Sequence, residues 1–293
     1  MKTKLLIFLF LINMVTLYSL EGEKPLWLLM DEGITAVESG DLGRAVYIFR
    51  DVLKHDSNNP EALKWMGRIF EKEGEFEIAQ KQYEKALENR KNLEILEDNY
   101  YIMYHLADLY RKMGKTEESR SMLNRIINET PAEKYNYNQE TAMVKLLEEK
   151  GPDTFFQLYR PESRITLEAH RRLGEDYYSS KKYNESLLHL VYSFGTPVSF
   201  AIEEFKKNDP DYSFSEGGRS GDFERLLHKV SRNNRLKAYF KEVHFFNTLL
   251  TTGKCLYESG FKEKGIGILT LVYNYSPDII TRNKAARFYT QIP

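Results

Sequence analysis

The chain holds one cysteine in 293 residues, Cys255, so it can form no internal disulfide and no thiolate-rich metal site. It has no surplus of charge either. Lysine and arginine total 42 against 43 acidic residues, a formal net charge of −1. A general nucleic-acid binder needs excess positive charge to neutralise phosphates, and this balance argues against that class. Catalytic signatures are scarce too. The histidines, His55, His105, His170, His189, His228 and His244, form no H-E-x-x-H or other metal-ligand spacing, and no G-x-S-x-G nucleophile motif occurs. The stretch "SEGGRSGD", Ser215 to Asp222, has glycines but not the G-x-x-x-x-G-K-[ST] spacing of a phosphate cradle. It reads as a surface loop, with Asp222 as the N-cap of the next helix. The residues give no ground for an enzyme, a metal or a cofactor.

A membrane-bundle composition is also missing, since 42% of residues are hydrophobic and 29% charged. One uncharged run stands out. "LLIFLFLINMVTLYSL", Leu5 to Leu20, follows the basic start "MKTK". A basic start, an apolar run and small residues near its end form the pattern of a secretory signal peptide. Candidate cleavage points follow Ser19 and Gly22. An uncleaved anchor is the alternative, because 16 residues fall just short of the roughly 18–20 that span a bilayer. No cysteine follows the run, which excludes the common bacterial lipid attachment. Export is expected, either into the periplasm or as a membrane-anchored chain facing it, with residues 5–20 holding the membrane if they are not cleaved.

What the chain has in abundance is self-similarity. Set "LWLLMDEGITAVESGDLGRAVYIFRDVLKHDSNN" above "PEALKWMGRIFEKEGEFEIAQKQYEKALENRKNL". Gly33 meets Gly67, Gly40 meets Gly74, Ala45 meets Ala79, Phe49 meets Tyr83 and Val52 meets Ala86, each at an offset of 34 residues. Apolar residues recur three and four apart on both sides of Gly40 and Gly74, which predicts two amphipathic helices per unit. Gly40 and Gly74 sit where the first helix ends, a position that favours left-handed backbone. Gly33 and Ala45 are small because the helices cross there. One such pair cannot bury its own apolar face, so neighbouring pairs must stack.

These residues resemble the tetratricopeptide repeat family in size, spacing and residue type together. A third copy runs from Tyr100 to about Glu133, with Ala107, Gly114, Ser119, Leu123, Ile126 and Pro131 in the family's slots. A fourth spans Leu167 to Phe200 with Gly174, Tyr177, Tyr183, Ser186 and Leu190, and a fifth starts near Phe246 with Gly253, Gly260, Gly265, Leu269, Val272 and Pro277. Two departures are visible: Lys181 replaces the turn glycine of the fourth copy, and Glu32 stands where the family prefers leucine. The resemblance implies an all-α, right-handed solenoid of antiparallel helix pairs with an irregular helical insertion.

The expected organisation is a signal peptide or anchor at 1–22, three repeats at 23–133 and a degenerate helical pair at 134–166. A fourth repeat follows at 167–200, then the insertion with its glycine-rich loop at 201–245, and the fifth repeat with a closing helix at 246–293. That closing helix is expected to turn Ile279, Ile280, Ala286 and Phe288 onto the last repeat.

In this family the first helix of each pair lines a concave groove that holds a protein or peptide partner. The repeat register places Trp27, Met30 and Ile34 there in the first copy, and Lys64 and Arg68 in the second. Tyr101, Tyr104, Asp108 and Arg111 follow in the third, Arg171, Glu175 and Tyr178 in the fourth, Leu250, Lys254 and Tyr257 in the fifth. Tyrosine, tryptophan and arginine are enriched in binding hot spots because they join large area to a polar handle. Tyr101, Tyr104, Tyr178 and Tyr257 are therefore expected to bury against the partner, with Lys64, Arg68 and Arg111 orienting it. The bland reading is that these rings pack against neighbouring helices. The family's lysine–asparagine clamp for a chaperone's C-terminal carboxylate is not reproduced, because the first copy offers Asp31 and Ile34 instead.

The resulting expectation is a non-catalytic scaffold in a cell-envelope assembly. A periplasmic helper that binds a glycan or small molecule in an aromatic-lined pocket is the alternative. An enzyme using His170 or His189, which lie on successive helices of the fourth copy, needs a converging acid or metal ligand. Otherwise the histidines are expected at surface or boundary positions. Cys255 is expected to be a buried, inert thiol.

Overall fold

A computed structural model describes residues 24–129, 164–212 and 220–290 of the chain. The signal or anchor segment, nearly all of the degenerate pair and the glycines at 217 and 218 lie outside the described residues. All regular elements among the described residues are helices, apart from turns. They are α1 (Leu26–Glu38), α2 (Leu42–His55), α3 (Pro60–Glu73), α4 (Phe76–Glu88), α5 (Asp98–Lys112), α6 (Thr116–Glu129), α7 (Arg164–Ser179), α8 (Tyr183–Asn208), α9 (Ser220–Arg232), α10 (Asn234–Glu242), α11 (Phe245–Glu258), α12 (Lys262–Tyr275) and α13 (Ile279–Thr290). The chain divides into two compact units between Thr116 and Glu117.

The period-34 pattern becomes helix pairs for local reasons. Asn59 caps α3 by accepting the Ala62 N–H at 2.9 Å, and Pro60 follows at the first helical position, where its missing N–H costs nothing. At the other end, Gly74 takes φ +81° and the Glu75 N–H reaches back to the Phe70 carbonyl at 2.9 Å. The same closure recurs after α1, α5, α7 and α11. In the fourth copy Lys181 holds this left-handed position at φ 59°, so a lysine bears a backbone strain that glycine escapes.

The crossing slots are equally literal. A Cβ on Gly33 would meet the Phe49 ring at 2.7 Å, and one on Gly67 the Tyr83 ring at 2.7 Å. On Gly174 it would meet Leu190 at 2.7 Å, and on Gly253 Leu269 at 2.9 Å. Gly265 brings α12 closer still, to backbone distance from Gly253 and Tyr257.

In the first unit, Ala36, Val37, Phe49, Val52, Ala62, Met66 and Ile69 form one core from α1, α2 and α3. Phe49 is fully buried and lies parallel to Trp65 at 6.4 Å, joining the first pair to the second. In the second unit the core runs from Leu167 through Val198, Leu226, Leu227, Phe240 and Phe245 to Leu269 and Ala285. Residues of α9 and α10 thus share the core of the fourth and fifth pairs.

Three local expectations change. The boundary at 200/201 falls inside α8, which runs 26 residues with Pro197 within it. Pro197 removes one backbone donor, but burial of Val198, Ala201 and Ile202 holds the helix together. Asp222 is not an N-cap, because α9 begins at Ser220 and Asp222 is buried in its first turn, paired with Arg225. Finally, α13 buries Thr281 and Ala285, while Ile279 and Ile280 are 59% and 61% exposed. Asp278 caps the helix by accepting the Thr281 N–H at 2.9 Å, and the Thr281 hydroxyl donates to Asn247 of α11 at 2.7 Å, which holds that face inward.

Candidate functional site

In the first unit the first helices of successive copies, α1, α3 and α5, carry the expected partner-facing residues. Trp27 is 70% exposed at the start of α1. Met30 and Ile34 are half-buried and pack on the core. On α3, Lys64 is buried and ion-paired with Glu61 and with Asp98 of α5. Burial opposes its charge, but the two carboxylates outweigh it and raise its pKa. Arg68, one turn on, stacks over Trp65 at 5.0 Å. On α5, Tyr101 is 37% exposed and its ring lies 4.3 Å from that of His105, Tyr104 is half-buried, and exposed Arg111 pairs with Asp108 at 3.2 Å.

Arg68 differs from its neighbours. Lys64 has two carboxylates, Arg111 has Asp108, and Lys112 has Glu71 at 2.7 Å. Arg68 makes no ion pair among the described residues. Arg68 is half-buried, with its guanidinium over an indole and near enough to Tyr101 to favour that residue's phenolate, although burial dominates and raises the Tyr101 pKa. A planar, pre-oriented guanidinium of this kind is suited to a two-point hydrogen bond with a carboxylate.

Sequence reasoning passed over Glu71. Its carboxylate takes the Lys112 ammonium at 2.7 Å and the Tyr83 hydroxyl at 3.2 Å, and His105 Nδ1 stands 2.7 Å away. Burial opposes its ionisation, yet these donors outweigh burial and hold its pKa at about 2. A signal for it did exist in the sequence. Lys64 and Asp98 are 34 residues apart, as are Glu71 and His105, so one repeat period brings opposite groups onto facing turns.

In the second unit the expected residues do not form one open surface. Arg171 is locked between Glu168 at 2.6 Å and Glu175 at 2.7 Å. The Tyr178 hydroxyl donates to Glu258 at 3.2 Å, and Tyr183 donates to the same carboxylate at 2.7 Å. Tyr257 meets Phe288 edge-on at 5.2 Å, and Lys254 places its ammonium 5.8 Å from the same ring. Cys255 is fully buried, with its thiol donating to the Tyr183 carbonyl at 3.4 Å, and burial pushes its pKa up. It is a packing group.

The histidines require a correction. His170 and His189 are buried rather than at a surface or boundary, and their Nδ1 atoms lie 2.9 Å apart. One ring donates and the other accepts, and burial keeps both neutral. His170 stacks on Tyr192 at 4.5 Å and His189 on Tyr177 at 5.5 Å. Burial, with the neighbouring histidine, lowers the His170 pKa to about 3, and burial lowers that of His189 to about 4. Tyr177 also carries the Arg120 guanidinium at 4.7 Å, and Arg120 binds Asp176, Glu117 and Ser180. The pair closes one end of a buried polar chain. No set of three His, Cys, Asp or Glu residues placed to hold a metal occurs among the described residues.

Helix pairs crossing at glycine, closed by left-handed turns and carrying aromatic and cationic groups on their first helices, define a helical-repeat protein built for contact. The family described as tetratricopeptide repeat matches residues 36–92 and 77–137. The chain thus carries tetratricopeptide repeats over residues 36–137. An uncharacterized protein of Treponema pallidum (strain Nichols) is 23% identical over 212 residues, 71% of this chain and 55% of that protein, so the chain spans about half the length of its curated relative. Among solved structures, YrrB, described as a TPR protein with an unusual peptide-binding site, is 14% identical, with 88% of this chain and 90% of that one covered at a TM-score of 0.49. Pseudomonas aeruginosa pilF is 13% identical, covering 91% and 97% at a TM-score of 0.38.

Proposed function

We propose that the chain is a non-catalytic scaffold of the cell envelope that holds an extended segment of a partner protein against α1, α3 and α5. The observation that carries this reading is Arg68, a half-buried residue whose guanidinium lies 5.0 Å from the centre of the Trp65 ring and makes no ion pair among the described residues. A carboxylate of the partner completes it. Tyr101 and the exposed Trp27 supply area on either side. Lys64 and Arg111, already neutralised, shape the surface more than they attract. The envelope enters through the basic start and the uncharged run at residues 5–20, and N-terminal sequencing of protein isolated from fractionated cells checks it.

Panning a random peptide library against the full chain tests the site. Enriched peptides are expected to carry Asp, Glu or a free C-terminus, and Arg68→Gln is expected to weaken them about tenfold, the worth of one charge-assisted hydrogen bond. Arg111→Gln, whose charge Asp108 already meets, is expected to weaken them less. Enriched peptides that bind folded Arg68→Gln as tightly as wild type would remove the site assignment.

A further inference from the structure

The starts of α1, α3 and α5 lie on one edge of the first unit. Leu29 of α1 and Ala62 of α3 share a core, and Lys64, one turn into α3, is ion-paired with Asp98 at the start of α5. The turn from α2 into α3 belongs to the same edge, because the Ser57 carbonyl accepts the Lys85 ammonium near the end of α4 at 2.6 Å. Four large apolar side chains stand exposed there: Trp27 at 70%, Leu96 at 60%, Ile95 at 58% and Leu26 at 38%. A single exposed apolar residue needs no explanation, but four on one edge point to a surface that is covered.

Both pairs are held in place. Leu26 and Pro60, which start α1 and α3, are 34 residues apart, whereas Pro60 and Asp98 are 38 apart, so the turn before α5 is longer. Leu93 is buried and pins that turn, and the Asp98 and Asn99 N–H groups donate to the carbonyls of Ile95 and Leu96 at 3.0 and 3.2 Å. The backbone is committed, and the two side chains are left outward. At α1, Pro25 is extended, and Lys24 turns its ammonium along the helix onto Glu32 at 2.7 Å. The charge nearest the start of α1 is thereby drawn away from it, which leaves Leu26 and Trp27 as the surface.

What covers this edge follows from where the chain enters it. The uncharged run ends at Leu20, four residues before Lys24. Four extended residues reach at most about 14 Å. A run retained in the membrane therefore holds this edge beside the bilayer at high effective concentration, ahead of any other occupant. Tryptophan suits that place, since its ring lies in the apolar boundary while its N–H reaches water. Exposed Glu94 and Glu97 flank Ile95 and Leu96, so the contact is apolar and favours zwitterionic over anionic headgroups.

We propose that Leu26, Trp27, Ile95 and Leu96 seat the first unit on a zwitterionic leaflet, at the boundary between headgroups and acyl chains. The assignment rests on the envelope reading, with residues 5–20 retained as an anchor, and does not depend on Arg68. Trp27 is exposed enough to touch both the bilayer and the end of a bound segment.

The test is tryptophan fluorescence of the full chain in phosphatidylcholine vesicles, with and without lipid brominated near the headgroup end of its chains. The chain has two tryptophans, so Trp65→Phe leaves Trp27 as reporter and Trp27→Phe leaves Trp65. Bromination is expected to quench Trp27 about twofold, as for an indole at the boundary, and to leave Trp65 unchanged. Ile95→Asp with Leu96→Asp, placed in the Trp65→Phe chain, is expected to restore most of the Trp27 emission while the chain still floats with the vesicles. Tyr47→Asp, on an exposed residue near the opposite edge, is expected to change nothing. A folded, anchored chain whose Trp27 is not quenched overturns the proposal, as does equal restoration by Tyr47→Asp. So does a Trp27 emission that shifts with protein concentration in detergent, which gives the edge to a second copy. In fractionated cells, an envelope chain that begins after Ser19 or Gly22 overturns the proposal and leaves the envelope reading standing; a chain recovered only from the cytosol overturns both.

Discussion

Acidification should loosen the second unit specifically, through His170 and His189. Both pKa values are lowered in the folded chain, to about 3 and about 4 from an ordinary 6.5. Between those limits the unfolded chain binds more protons than the folded one. The pair's contribution is therefore full above pH 6.5 and is lost as pH falls through that value toward 4. At pH 5 each unfolded imidazole gains about 2 kcal/mol from proton binding that its folded counterpart forgoes, or about 4 kcal/mol for the pair. That corresponds to roughly a thousandfold in the opening equilibrium. Hydrogen exchange read by mass spectrometry on peptides from α7 and α8, corrected for intrinsic rates, reports it locally. Protection is expected to fall by about that factor between pH 7 and pH 5. The double variant His170→Gln, His189→Gln keeps a donor and an acceptor but cannot titrate, and should lose less than about tenfold. The reasoning fails if wild-type protection stays flat over this range, or if the double variant falls as steeply. Glu71 does not confuse the result. It lies in the first unit, and its lowered pKa of about 2 means its contribution is lost only below about pH 4.5.

Two backbone tests follow from the repeat. Gly67→Ala forces a methyl against the Tyr83 ring and should cost about 2 kcal/mol in chemical denaturation, whereas Gly40→Ala meets no atom within 4 Å and should cost about 1 kcal/mol through its left-handed φ alone. Combining Gly67→Ala with Tyr83→Ala should then cost less than the sum of the two, and simple additivity would refute the steric account. Lys181→Gly relieves the left-handed strain at φ 59° and should raise the stability of the second unit by about 1 kcal/mol; a loss of stability would mean the lysine side chain matters more than its backbone.

Much of the framework was legible in the residues. Turn glycines and crossing slots depend on interactions within a few residues, or between two helices joined by a short turn, and these leave a periodic trace. Even Lys181 was visible as the missing turn glycine, and the structure shows that the turn forms regardless. Legibility ended where a side chain had a choice of partners. Ile279 and Ile280 looked like a buried stripe, but α13 turns Thr281 and Ala285 inward, with Thr281 bonded to Asn247 of α11, and leaves the two isoleucines in solvent. His170 and His189 could be placed on facing helices, yet only packing against Tyr177 and Tyr192 made them a dry, neutral pair.

The candidate sites show the same division. Register alone placed Arg68 and Lys254 on first helices and Cys255 on the packed side, because helical periodicity settles which face a residue occupies. It did not reveal which cations were spoken for. Lys64 found Glu61 and Asp98, Arg171 found Glu168 and Glu175, and Glu258 turned to two tyrosines. Those choices depend on how turns from successive repeats stack, a relation across 34 residues or more that local preference cannot specify. The sequence by itself determined the helix pairs and their faces. Only the tertiary structure, through competition for carboxylates at short range, decided that Arg68 was left with open charge.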